Sequence, residues 1–186
     1  EFKDVDWVLT TRELARMIQR AGLDFASLPE EEFDPALGES TGAAVIFGAS
    51  GGVLEAALRT AVEVLTGEEL PALDFTEVRG TEGAREATYK VGDMDVNVCA
   101  VSGLANVEKI LRQVKAGEKN YHIIEIMACP GGCINGGGQP SQPASIRNWV
   151  DLKGLRAGAL YSDDAAKKLR KSHDNPLIKE IYANYL

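Results

Sequence analysis

The sequence predicts an α/β fold, a layered sheet with flanking helices, followed by a helical C-terminal extension. Three observations predict it. Segments with the two-residue period of strands alternate with segments of helical period between Asp6 and Met127. A glycine-rich turn, Gly48 to Gly52, joins a continuous apolar run to a long, mostly apolar helix. After Pro140 the strand patterns stop and polar loops lead into short helices. The expected division is 1–140 for the α/β unit and 141–186 for the extension packed on it.

Asp6 to Thr10 reads as a short strand. Thr10 is then an N-cap with Glu13 three residues on, the spacing of a capping box. Leu14, Met17, Ile18 and Ala21 share one helical face, and Gly22 ends that helix. Pro29 to Pro35 is an acidic, solvated loop. Ala43 to Phe47 is apolar throughout, as expected of a strand buried on both faces. The helix after Gly48 to Gly52 runs to about Thr66 and closes at Gly67. Its Glu55, Arg59 and Glu63 recur every four residues and form one narrow polar stripe on a mostly buried helix.

Strands follow at about Thr76 to Arg79, Glu86 to Val91 and Asp95 to Val101, with Gly92-Asp93 as a hairpin turn between the last two. A helix over Leu104 to Lys115 turns Val107, Ile110, Leu111 and Val114 inward, with Gly117 past its end. Tyr121 to Met127 is a strand that places Glu125 and Met127 on one face and His122 on the other. In the extension, helices are expected at Asp163 to Ser172, with Ser162 as N-cap, and at Pro176 to Tyr185. Asp163 and Asp164 begin the first and Arg170 and Lys171 end it, as the helix dipole favours.

Composition narrows the function. A net charge of −8 argues against a nucleic-acid surface, which needs a basic patch. The one basic run, Lys167 to Lys171, reads as a solvated helix end. No segment reads as a signal peptide or as a membrane span, because the most apolar stretch, Ala43 to Leu65, is broken by glycines and by Glu55, Arg59 and Glu63. Three cysteines are too few for a disulfide framework and fit a reducing, cytoplasmic setting with metal or thiol chemistry.

Two of those cysteines lie in Glu125 to Pro140, EIMACPGGCINGGGQP. Thiolates are soft ligands, whose partners in a reducing cell are zinc and iron-sulfur clusters. Gly131, Gly132, Gly136, Gly137 and Gly138 let the backbone approach a bulky cofactor and turn N–H groups toward it. A closed zinc site needs four ligands, and only Cys99, His122 and His173 remain to supply two. Cys99, inside an apolar strand, reads as a buried inert thiol. The spacing C-x-x-x-C is not that of a thiol oxidoreductase, and His122 faces away from Met127. Gly48 to Gly52 lacks the Lys-Ser/Thr of a phosphate-binding loop and reads as a packing turn or an approach to another ligand.

The whole string resembles the third cysteine signature of the iron-only (FeFe) hydrogenases, E-x-M-A-C-x-x-G-C-x-x-G-G-G-Q-P. All eleven fixed positions match, namely Glu125, Met127, Ala128, Cys129, Gly132, Cys133, Gly136 to Gly138, Gln139 and Pro140. VLTTRELARMI, GAAVIFGASGGVLEAALRTA, EVRGTEGAREA and LRAGALYSDDAAKKLRKSHDN also look like the C-terminal half of that family's catalytic domain. The resemblance implies one lobe of a two-lobed domain that holds the H-cluster, a 4Fe-4S cubane bridged through a cysteine sulfur to a di-iron unit. It implies Cys129 as a cubane ligand, Cys133 as the bridging ligand, Met127 beside the di-iron unit, and Phe47, Gly48 and Gly136 to Gly138 as cofactor-lining residues. The implied reaction is reversible, dihydrogen to two protons and two electrons.

The family's other two signatures, T-S-C-C-P and M-P-C-x-x-K-x-x-E, do not occur here. Glu1 to Asp6 looks like the segment just after the second, and family members run on past Tyr185-Leu186. The expectation is a chain without turnover or H-cluster of its own, whose partner is the N-terminal lobe that carries those signatures. A hydrogenase-like iron-sulfur module without di-iron chemistry is the alternative. The electron partner, ferredoxin or an NAD(P)-linked carrier, is expected to act through domains outside this chain. The face around Cys129 to Gly138 is expected to be exposed or disordered, and the apolar interlobe surface to favour self-association.

Overall fold

The computed structural model describes residues 3–31, 39–81 and 83–185. Residues 32–35 of the expected acidic loop lie outside the described residues, as do residues 1 and 2 of the N-terminal segment and Leu186. Helix α1 (Thr11–Arg20) follows an extended segment, and a short α2 (Gly42–Val45) leads through a 3-10 turn, Ile46–Gly48, into α3 (Gly52–Thr66). The strands β1 (Ala84–Val91) and β2 (Met94–Ser102) precede α4 (Leu104–Lys115) and β3 (Ile123–Met127). Helices α5 (Ala144–Arg147), α6 (Leu152–Ala166) and α7 (Pro176–Asn184) follow.

The fold is mixed α/β. Its sheet has the order β1-β2-β3, with β1 antiparallel and β3 parallel to the central β2. Val91 pairs with Met94 across the Gly92-Asp93 turn, where Gly92 takes a φ of +59°. β2 carries the period-two logic of a strand buried on both faces. Its Val96, Val98 and Ala100 join Leu54 and Leu58 of α3 in one apolar cluster, while Cys99 and Val101 join Val107 and Ile110 of α4 in another. Helix, sheet and helix thus form three layers. Cys99 is fully buried, and burial first of all pushes its thiol pKa up.

Local signals held where the chemistry is local. The Thr10–Glu13 capping box is complete, and Gly22 follows the end of α1 with a φ of +72°. α4 has the expected limits, and α7 starts at Pro176 behind an Asn175 cap.

Four expected elements differ. Asp6 to Thr10 forms no strand: Asp6 is a bend, Trp7 is 87% exposed, and Thr10 turns its amide to Glu13 and its carbonyl to Leu14 as the cap of α1, so no neighbouring strand is paired among the described residues. Ala43 to Phe47 is no strand. Thr41 caps α2 through its hydroxyl, and the amides of Gly42 and Ala43 donate to Leu169 and Arg170 carbonyls, so the run is wound under the C-terminal segment. A five-residue apolar run fits a buried helix as well as a buried strand. Thr76 to Val78 forms a 3-10 turn, whose Val78 carbonyl accepts from Arg85 Nε at 2.9 Å.

The helix expected at Asp163 to Ser172 is instead α6. It is capped by Asp151, whose Oδ1 accepts from Gly154 N at 3.0 Å, and Ser162 lies inside it. Asp163 and Asp164 therefore stand in its last turn, against the helix dipole, because tertiary pairing outweighs that term. Asp164 is buried and takes two hydrogen bonds from Arg59, both at 2.8 Å. Burial opposes its ionisation, but the bonds from Arg59 and Arg170 outweigh this and hold its carboxyl below the usual range. The polar stripe of α3 is accordingly interior: Glu55 and Arg59 are both fully buried, and Arg79 joins Glu55 at 2.7 Å. The basic run lies largely beyond α6 rather than forming its end. Arg170 and Lys171 are spent on Asp164, Asp74 and Glu63.

Candidate metal centre

The cysteine loop begins where β3 ends. The Met127 carbonyl accepts from Gly103 N at 2.9 Å, which ties the strand end to the start of α4. Two residues earlier, Glu125 is buried and faces the other layer. Its carboxylate accepts from Gly51 N at 2.5 Å and Leu54 N at 2.8 Å, in the first turn of α3. An anion at that position satisfies amides that the helix leaves open. The contact draws the Gly48–Gly52 turn against the base of the cysteine loop.

Further bonds fix the loop from below. Ser50 N donates to the Gly131 carbonyl at 3.1 Å, and Gly131 N donates to Ser102 Oγ at 3.0 Å. Arg85 reaches from β1 to Ser50 Oγ at 2.8 Å. Burial lowers the Arg85 pKa from its ordinary value, against the attraction of the Glu125 carboxylate. Gly132 is the tightest point. With φ +97° it lies so close to the turn that a Cβ would stand 2.7 Å from Ser50 N and 2.8 Å from the Gly48 carbonyl oxygen.

Cys129 is half-buried and its carbonyl accepts from Gly132 N at 3.0 Å. Cys133 is exposed and opens the 3-10 turn Cys133–Asn135. Both thiols are free. Gly136 N closes on the Cys133 carbonyl at 3.0 Å, and Gln139 N on the Gly136 carbonyl at 3.0 Å. The loop is therefore well bonded and exposed only in part: Cys133, Asn135 and Gly137 are exposed, whereas Gly131, Gly132 and Ile134 are buried. Phe47 is 45% exposed in the 3-10 turn beside it, and Gly48 meets Gly132 directly. The structure thus sets Gly48 and Ser50 of the turn against Gly131 and Gly132, between Cys129 and Cys133, with the triplet Gly136 to Gly138 following in the same loop; Met127 stands at the end of β3 where the loop begins.

Other candidates stay away from it. Cys99 is enclosed in β2, and His122 Nδ1 accepts from Asn97 N at 3.0 Å ahead of β3. His173 lies with Thr60 and Glu63 at 3.0 and 2.8 Å. Among the described residues no group of three or more His, Cys, Asp or Glu side chains is placed to hold a metal. The loop therefore offers two free cysteines, too few for a closed four-ligand zinc site.

Sequence reasoning missed the residues that grip the loop. Arg12 of α1 donates from Nη2 to the Gly137 carbonyl at 2.6 Å and from its backbone to the Gly138 carbonyl at 3.3 Å. A Cβ on Gly138 would meet Thr10 Cβ at 2.7 Å. Arg156 of α6 donates to the carbonyls of Ile134 and Pro140. No pattern marks these arginines, because their partners come from distant parts of the chain.

Comparison with known proteins shows the family to which this fold belongs. Residues 1–137 match the family model described as the iron-only hydrogenase large subunit, C-terminal domain, and residues 150–186 match that of the iron hydrogenase small subunit. The NADP-reducing hydrogenase subunit HndD of Solidesulfovibrio fructosivorans is 53% identical over 98% of this chain and 30% of its own length. A solved structure of the FeFe-hydrogenase HydA1 from Chlamydomonas reinhardtii superposes with a TM-score of 0.73 at 37% identity, over 98% of this chain and 51% of that one. A more distant relative, cytosolic iron-sulfur assembly component 3 of Pongo abelii, is 33% identical over 99% of this chain and 38% of its own length. The chain belongs to the iron-only hydrogenase large-subunit family. It spans about a third of the length of the curated relatives it matches.

Proposed function

We propose that this chain is one lobe of an iron-only hydrogenase catalytic domain and supplies two of the cysteine ligands of its H-cluster. The observation that carries this reading is the pair Cys129 and Cys133 on one glycine-rich ledge, both free and with a backbone too close-packed for side chains at Gly132. Cys129 would hold the 4Fe-4S cubane, and Cys133 would hold it and bridge to the di-iron unit. When bound, that cluster supplies the reversible conversion of dihydrogen to two protons and two electrons.

The chain's own residues hold, orient and enclose. Glu125, Ser50 and Ser102 fix the base of the thiolate loop, so the two sulfurs are preorganised before a cluster arrives. Met127 and Phe47 supply apolar wall, and Gly48 and Gly136 to Gly138 leave room for a bulky group. A cubane needs four ligands, so the remaining cysteines come from the N-terminal lobe, outside this chain. Exposed Trp7, Phe47 and Trp149 supply apolar surface for that lobe or, without it, for self-association. Turnover by this chain alone is not expected. Electrons leave to ferredoxin or an NAD(P)-linked carrier through other domains, and the likeness to a subunit named as NADP-reducing supports the second. The low, odd cysteine count supports a cytoplasmic setting for this reading. Among the described residues no helix is long and apolar enough to cross a membrane.

The likeness to an iron-sulfur assembly component supports a second reading, a cubane-binding module without di-iron chemistry. Infrared spectroscopy separates the two. The chain joined to its N-terminal lobe and matured anaerobically should show bands of iron-bound CO and cyanide and should consume dihydrogen. Iron-sulfur absorption with neither band would favour the assembly reading.

A further inference from the structure

The face of α6 that packs on the body carries three residues at four-residue spacing, Arg156, Leu160 and Asp164. Each makes a different contact. Arg156 Nη1 donates to the Ile134 carbonyl at 2.8 Å and Nη2 to the Pro140 carbonyl at 2.6 Å. Leu160 covers Gly48, where a Cβ would meet its Cδ1 at 2.9 Å. Asp164 is locked to the buried Arg59 of α3.

We propose that Arg156 is a positioning residue of the thiolate loop, and that the small-subunit-like segment 150–186 is thereby part of the metal centre. This rests on the functional reading above. Ile134 and Pro140 bracket the glycine triplet, and Ile134 follows Cys133 directly. Three consecutive glycines are the most conformationally free stretch a backbone can have. One planar guanidinium spans both ends of that stretch, a geometry that its fixed fork of donors permits and a lysine ammonium does not reproduce. The grip is aimed by what lies behind it, because the Asp164–Arg59 pair anchors the same helix two turns on. The guanidinium also brings a positive charge to the loop that carries Cys129 and Cys133. The two family matches therefore meet at a working contact, with a residue of the second closing a loop that begins in the first.

The test uses Arg156→Lys and Arg156→Gln, with the exposed Lys168→Gln as control. In the 186-residue chain without cluster, hydrogen exchange is followed peptide by peptide. Both Arg156 variants should speed exchange between Ile134 and Pro140 by roughly tenfold or more while α3 and β2 keep their protection, as expected of a local opening. In the chain joined to its N-terminal lobe, both variants should alter the EPR spectrum of the reduced cluster, and Arg156→Gln, which alone removes the cation, should also lower its midpoint potential. Lys168→Gln should change neither readout. If Arg156→Gln does not fold, Arg156→Lys decides, since it keeps the stem and the charge and loses only the span. Unchanged loop exchange with an unchanged EPR spectrum in a folded Arg156 variant would overturn this inference alone. A wild-type protein that holds no cluster would overturn the functional reading instead, and the proposal with it.

Discussion

The Glu125 carboxylate lies 2.5 Å from the Gly51 amide, which joins the end of the sheet to the start of α3 directly behind the cysteine loop. With the Leu54 amide as its second donor, this buried anion replaces a cap that no side chain of the Gly48–Gly52 turn provides. Glu125→Ala should therefore destabilise the chain by about 3 kcal/mol, the scale of two charge-assisted hydrogen bonds. Glu125→Gln, which keeps an acceptor, should cost less. Urea unfolding followed by circular dichroism checks both values.

Arg59 and Asp164 make a second prediction. Removing Asp164 takes two of the hydrogen bonds of the buried Arg59 and leaves Glu55 as its remaining buried carboxylate, so Asp164→Ala should cost about 3 kcal/mol. Because Asp164 anchors α6, the loss should appear first as exposure of the C-terminal segment. Limited proteolysis near Lys167 to Lys171, compared with cleavage at the β1–β2 hairpin, reads that order directly.

Glu63 sets an acid limit. The Leu70 amide, followed by Lys171 and His173, lowers its pKa from the ordinary 4.5 to about 2, against some desolvation. A depressed folded pKa stabilises the fold above the unfolded value, and the contribution disappears as pH falls through the folded one. Stability should thus decline between about pH 4.5 and pH 2, and Glu63→Gln should flatten that part of the curve. An unchanged slope in the variant would show that other carboxylates govern acid unfolding.

Gly132 should tolerate no side chain. Its positive φ and its approach to Ser50 and Gly48 oppose Gly132→Ala together, at a cost of about 2 kcal/mol or more. Gly137, with nothing within 4 Å of its Cβ position, should accept alanine with little loss of stability. Thermal unfolding of the two variants side by side makes the comparison.

What was legible in the sequence was what neighbouring residues decide. The Thr10–Glu13 box, the Gly92-Asp93 turn and the span of α4 are written in local spacing. The cysteine loop was legible too, since its two thiols and its glycines lie in one string. Ala43 to Phe47 was not, because its form depends on carbonyls of Leu169 and Arg170 far along the chain. The start of α6 was hidden by Gly154 and Gly158, which weaken a helical pattern that burial of one face restores. The grips of Arg12 and Arg156 on the glycine triplet exist only once three separated segments meet.

The central claim is that Cys129 and Cys133 hold an iron-sulfur cluster together with ligands from outside this chain. Anaerobic reconstitution with iron and sulfide, followed by iron and acid-labile sulfide counts and EPR of the reduced sample, tests it most directly. The chain joined to its N-terminal lobe should bind a cubane that Cys129→Ala and Cys133→Ala each abolish, while the chain alone binds none or a labile one. A stable cubane in the chain alone, or one that survives both substitutions, would contradict the account.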